Sequence, residues 1–216
     1  MDYLDRYVKR LNMSGKSAVE AQLNEAIKSF ERDFNTSPSY YSVDIDGVMV
    51  DTIINKKTKY DEKLVNFRHG YNPLVGSVVT YKDNKYLLME TDEDDIYRFG
   101  VMKKCNYIIP VKVGETKVFA GYDHNGQPYY TTEIEYEDVP CIIDSKYYSS
   151  NDNAQLPLPE GKLSVYTKYV PDSNIQTNEE YVLYEKRYIV ADIDYTKVIN
   201  GVGVIEIIVE RKVDKE

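Results

Sequence analysis

The chain has 216 residues, 42% of them hydrophobic, and a formal net charge of -9, enough length and apolar content for one large or two small domains with a real core. No stretch approaches 18 consecutive apolar residues, the opening "MDYLDRYVKR" alternates charged and apolar side chains, and Cys105 and Cys141 sit in no CxxC or Cys/His cluster. A membrane span, a secretory leader, a disulfide framework and a zinc quartet are therefore not expected, and reduced, buried thiols are. Residues 1–112 carry 17 Lys/Arg and 17 Asp/Glu, whereas 113–216 carry 10 and 19, an acidic second half that disfavours the basic stripe nucleic-acid binding needs.

The elements begin with helices. A short one over about 2–12, with Leu4, Tyr7, Val8 and Leu11 inward, and a longer one over 17–34 are joined at "MSGK" as an antiparallel pair. The longer helix puts Val19, Leu23, Ala26, Ile27, Phe30 and Phe34 on one stripe, and Ser17 and Glu20 have capping-box spacing. Pro38 ends helical structure, and from Tyr40 the apolar period falls to two. "YYSVDIDGVMVDTII" predicts two strands turning at Asp46-Gly47. The stretch 55–75, polar except around Leu64 and Phe67, reads as a long exposed loop. Three strands follow, turning at Asp83-Asn84 and at the acidic run 92–95.

Beyond Val113, "TKVFAGYDHNGQPYYTTEIEYEDVPCIID" alternates on both sides of a turn at Asn125-Gly126, residues 145–160 read as a loop, and three strands close the chain. The fold class is mainly β: an N-terminal α-helical hairpin over 1–38, then two small antiparallel β-barrel or β-sandwich domains over 39–112 and 113–216. A faint echo links them, "KYLLME" at 85–90 with "GVM" at 100–102 against "RYIVAD" at 187–192 with "GVI" at 203–205, as a duplication would leave.

No catalytic constellation is visible. "MSGKS" lacks the Gly that a phosphate loop needs five residues before Gly15, where Arg10 stands. The Asp44 segment places Met49 and Asn55 where a calcium loop needs Gly and Glu. Asp92, Glu93, Asp94 and Asp95 read as a solvated hairpin tip, and His69 and His124 have no ligand-spaced partner. A hydrolase would have to use Cys105, Cys141 or one of these histidines; none is expected to act, and no catalytic, metal or cofactor residue is assigned. The remaining alternative is a carbohydrate- or ligand-binding β-module of a tail or cell-surface protein, with Tyr147, Tyr148, Tyr166 and Tyr169 stacking on sugars.

The order of pieces in the first half, a capped helix, then Gly76, Val78 and Val79, the strand with Tyr86, Leu87 and Leu88, the acidic turn 92–95 and a strand ending in Cys105 and Asn106, resembles the neck or head-tail connector proteins of tailed bacteriophages. The closing "RYIVADIDYTKVINGVGVIEIIVE" is similar to their last strands. The resemblance implies a non-enzymatic, cofactor-free virion structural protein acting in head completion at the portal vertex. It would form a homo-oligomeric ring between a portal or adaptor protein and tail proteins, with packaged DNA passing through without specific binding and no membrane partner. It also implies assembly in the host cytoplasm, a structural role for Cys105 and Asn106, and contacts through residues 55–75 and 145–160, while the helix stripe with Leu23, Ile27 and Phe30 packs on its own barrel or on a partner, packing within the monomer being the expected outcome.

Overall fold

The computed structural model describes residues 3, 4, 7, 15–94, 96–122, 124–148, 155–157, 161–171 and 175–212. Of the helix expected over 2–12, residues 3, 4 and 7 are helical and the rest lies outside the described residues, as does much of 145–160.

Helix α1 (Ala18–Thr36) starts where the Ser17 side chain accepts the Glu20 N–H at 3.1 Å, while the Glu20 carboxylate accepts the Lys16 N–H at 2.7 Å. These contacts satisfy backbone donors that a helix start would leave unpaired. Only the end of its apolar stripe is used. Phe34 is buried, Phe30 stacks on Tyr97 at 4.9 Å, and the Arg68 guanidinium lies over the Phe34 ring while pairing with Glu31 and Asp51. Leu23 and Ile27 are half-exposed and Val19 is exposed, so the stripe is not covered by the chain's own barrel along its length.

Strands β1 (Tyr40–Ile45), β2 (Val48–Lys56), β3 (Glu62–Phe67), β4 (Val78–Tyr81), β5 (Asn84–Glu93) and β6 (Arg98–Lys104) form a closed antiparallel barrel in the order β1-β2-β3-β6-β5-β4. Alternate residues fill it: Val43, Ile45, Val50, Ile54, Val65, Phe67, Val79, Leu88 and Met102 are buried together. Strand β3 corrects the expectation of a loop over 55–75. Val65 and Phe67 are fully buried, and Glu62 is buried too because Lys57 and Lys59 pair with its carboxylate, each at 3.2 Å. A buried, ion-paired glutamate hides the start of a strand from a hydrophobic pattern.

The second unit holds β7 (Tyr107–Tyr122), β8 (Pro128–Asp144), β11 (Lys162–Lys168), β12 (Glu180–Leu183), β13 (Lys186–Asp194) and β15 (Val202–Arg211), ordered β7-β8-β11-β15-β13-β12. The short β14 (Val198–Ile199) pairs with β15, and β9 (Lys146–Tyr148) with β10 (Gln155–Pro157). Ranked along the chain, the six main strands repeat the order of the first barrel, the first strand matching β7 and the sixth β15. Strands β7 and β12 share no ladder, so this sheet curls into a barrel without being closed as the first is; across the seam the Tyr107 hydroxyl donates to the Val182 carbonyl at 3.3 Å, and Ile109, Val111, Tyr181 and Leu183 from both seam strands share one core with Val139, Val165, Val190 and Ile207.

The barrels meet through Leu87, Ile142, Tyr166 and Val204, all almost fully buried. Gly76, at φ +89°, is required there: a Cβ would lie 2.1 Å from the Gly203 carbonyl oxygen of β15. Lys103, buried at the same seam, pairs with Asp144 of β8 at 3.1 Å and Asp61 of the first barrel at 3.5 Å.

Candidate functional site

Cys105 and Asn106, the two residues between β6 and β7, lie at the junction of the two barrels. The Asn106 amide donates to the Ile143 carbonyl at 2.9 Å and its oxygen accepts the Ile143 N–H at 2.8 Å, while its own N–H donates to the Cys141 carbonyl. One side chain thus imitates a ladder residue and stitches the linker to β8. Cys105 packs against the inter-barrel cluster and Cys141 is fully buried. Burial pushes both thiols up to about 12, where they are protonated and poor nucleophiles at neutral pH.

The other singled-out groups are dispersed. His69 Nδ1 lies 2.7 Å from the Ile96 carbonyl on the first barrel, and His124 is at the exposed tip of the β7–β8 hairpin. Among the described residues no three His, Cys, Asp or Glu side chains gather as a metal site. Asp95 lies outside the described residues. The tyrosine set offered for sugar stacking does not hold together. Tyr166 is buried with its hydroxyl on Glu206 at 2.9 Å, Tyr169 is half-buried against Tyr195, and the side chains of Tyr147 and Tyr148 are outside the described residues.

Two features stand out instead: a cleft that the sequence does not signal, and an expected hairpin whose reach beyond its barrel it does not signal either. The first is a cleft of about 480 Å³ at one mouth of the first barrel, lined by Tyr41, Tyr81, Tyr86, Lys56, Lys63 and Lys82 among others. It exists because the ladder that closes the barrel is only two residues long, Asp44 with Thr80 and Ile45 with Val79. Beyond it β1 and β4 part, leaving tyrosine rings where further strand pairs would be. Lys82 lies 5.0 Å from the Tyr41 ring centroid and 5.2 Å from that of Tyr81, and Lys63 lies 5.8 Å from the latter, distances at which a cation is attracted to a ring face. Hydrogen bonding to Tyr81 and then to Tyr41 raises the Lys82 ammonium above its ordinary value, and hydrogen bonding to Tyr81 and Lys82 lowers the Tyr41 hydroxyl. Among the described residues no carboxylate pairs with Lys56, Lys63 or Lys82.

The second feature is the β7–β8 hairpin, which outruns its barrel. Its base is core: Ile109 and Val111 face Val139, Cys141 and Ile143. From Glu115 to Asp138 every described residue is exposed except the half-exposed Gly121. The buried face of β8 continues outward as Glu137, Glu135, Glu133 and Thr131, while Tyr136, Ile134 and Tyr130 take the opposite face. A bulge at Val113 and another at Ala120 bring Phe119 and Tyr122 onto that apolar face, and Phe119 sits 5.2 Å from Tyr122 and 6.0 Å from Tyr130 between ring centroids. The arm is therefore a ribbon with the β8 carboxylates on one face, beside Val118 and Tyr129, and most of its rings on the other, beside Glu115 and Lys117, about 35 Å long for its ten or so residues per strand. A two-stranded ribbon of this kind is marginal in water without something against it.

Comparison with known proteins bears on this second unit most directly. Two solved structures of MrkH, described for that protein as a c-di-GMP dependence transcription regulatory factor and in one case from K. pneumonia, align at 11 and 12% identity. They cover 89% of this chain and 85 and 84% of theirs, with TM-scores of 0.22 and 0.20, a level of overlap that carries no argument. The SPbeta prophage-derived protein YomX of Bacillus subtilis (strain 168) is 22% identical over 215 residues, covering 96% of each chain. Residues 107–210, beginning with the first residue of β7 and ending within β15, match the family model of the YomX C-terminal domain, so this chain is similar to a prophage-derived protein along its length and to that domain family through its second barrel.

Proposed function

We propose that the chain is a structural component of a bacteriophage head-tail connector: a subunit of a homo-oligomeric ring that joins the portal or an adaptor to the tail and helps retain packaged DNA, without catalysis. The observation that carries this reading is the bare β7–β8 arm, whose exposed Phe119, Tyr122, Tyr130, Ile134 and Tyr136 share one face. A monomer has no use for such a face, whereas a subunit that reaches its neighbour does. End-to-end similarity to a prophage-derived protein supports the phage setting, and the acidic excess of residues 113–216 suits a surface past which DNA slides without adhering.

The test is the mass of the purified protein by light scattering, alone and mixed with the portal and adaptor proteins of the same phage. A closed oligomer, or a stoichiometric complex with those partners, is expected. A monomer indifferent to both overturns the reading and returns weight to a ligand-binding module, for which the cleft at Tyr41, Tyr81 and Tyr86 replaces the tyrosines of the second half.

A further inference from the structure

We propose that the β7–β8 arm of one copy seats in the lysine- and tyrosine-lined cleft of the next copy's first barrel, so that arm and cleft are the two halves of a head-to-tail contact. This rests on the ring reading and specifies its interface. The occupant is identified by charge and shape. Strands β2 and β3 bring Lys56 and Lys63 to the cleft, β1, β4 and β5 bring Tyr41, Tyr81 and Tyr86, and the β4–β5 turn brings Lys82. The ribbon carries a complement for each kind of side chain in the cleft, the carboxylates of Glu133 and Glu135 on one face and the rings of Phe119 and Tyr130 on the other.

The seating is between copies. No residue of the second barrel lines the cleft, and the arm is exposed from Glu115 to Asp138 in its own chain. The fold already makes a smaller version of the contact within one chain. The β1–β2 hairpin, which occupies in the first barrel the place of β7–β8 in the second, reaches across so that Asp46 pairs with Lys168 of β11 at 2.8 Å. The longer hairpin, with more carboxylates, has the reach to repeat this on the following molecule, because about 35 Å beyond its own barrel matches the length of the longest strand of the first barrel, the ten residues of β5. An interface joining two different surfaces of the same chain propagates, and it closes into a ring when the rotation per subunit divides a full turn.

The experiment is a charge exchange read by light scattering and sedimentation on the full chain, with circular dichroism to confirm folding. K56E/K82E and E133K/E135K change exposed residues, and each is expected to weaken association tenfold or more. The quadruple exchange is expected to restore it to within about threefold of the parent, since the same charges then face each other with signs reversed. Assembly unaffected by either double variant overturns the seating and leaves the ring reading standing, and so does failure of the exchange to restore it. A twofold dimer lost in F119S/Y130S but kept in K56E/K82E overturns it in favour of arm-to-arm pairing. A chain that assembles only with portal or adaptor protein overturns it while the connector reading survives, and one that is monomeric under every condition overturns both.

Discussion

At the scale of single residues the chemistry of the junction is conformational. Asn106 holds the start of the second barrel through three hydrogen bonds to β8, and Cys105 and Cys141 fill the space beside it. Both thiols are raised from 9.0 to about 12, chiefly by burial, with neighbouring Cys105 adding to the rise at Cys141. The folded state therefore keeps two protons that the unfolded chain releases above about pH 9. Their contribution to stability is fully present below that pH and is lost as pH rises from 9 toward 12. By pH 10 the parent protein should have lost about 1 kcal/mol per thiol more than C105A/C141A, measured as the difference between their urea midpoints at pH 8 and at pH 10. Equal losses would mean that the thiols are solvated. At pH 8 thiol reagents should modify neither cysteine until the protein is denatured.

At the scale of elements, the β7–β8 hairpin divides into two objects that one alternating sequence disguises as a single hairpin. The parity of "EIEYEDVPCIID" is constant, but its meaning changes: Val139, Cys141 and Ile143 are buried, whereas Glu133, Glu135 and Glu137 on the same face stand in water. Replacing residues 114–135 with an Asn-Gly turn should therefore leave the melting temperature within about 3 °C, since no core residue is removed, and abolish assembly. A large fall in melting temperature would show that the arm belongs to the monomer's core. Trypsin should cut the free chain first at Lys117, and slowly in the assembled form. Much of this was legible in advance, because capped helix, period-two strands and Asp-Gly or Asn-Gly turns are local signals. Strand β3 was hidden because its first residue, Glu62, is buried on the face opposite Val65 and Phe67 by pairing with Lys57 and Lys59, and the cleft because it depends on where a closing ladder stops, which is a matter of register between β1 and β4 that neither strand encodes alone.

For the molecule as a whole, the shared strand order gives physical content to the echo read in the sequence. "KYLLME" and "RYIVAD" follow turns with matching left-handed residues, Lys82 and Asp83 in one barrel and Tyr184 and Glu185 in the other, and both strands carry a bulge at the same place, Met89 and Ala191. The second half of the echo does not correspond: Leu88 pairs with Met102, but Val190 pairs with Val209, four residues past Ile205. Two barrels of one topology joined without a long linker can unfold as one unit or as two, and the deciding element is the small cluster around Leu87. That side chain points away from its own barrel, whose core is filled instead by its neighbour Leu88. Leu87→Ala removes a fully buried side chain from the inter-barrel contact alone, at a cost of about 2–4 kcal/mol. The expected outcome by scanning calorimetry is a single transition in the parent and two in the variant, the first barrel and the second melting separately. A single, merely lowered transition would mean that the Asn106 stitch and the Lys103 bridge suffice to couple the barrels, and that a force applied to the arm would be carried into the whole subunit rather than absorbed at the junction.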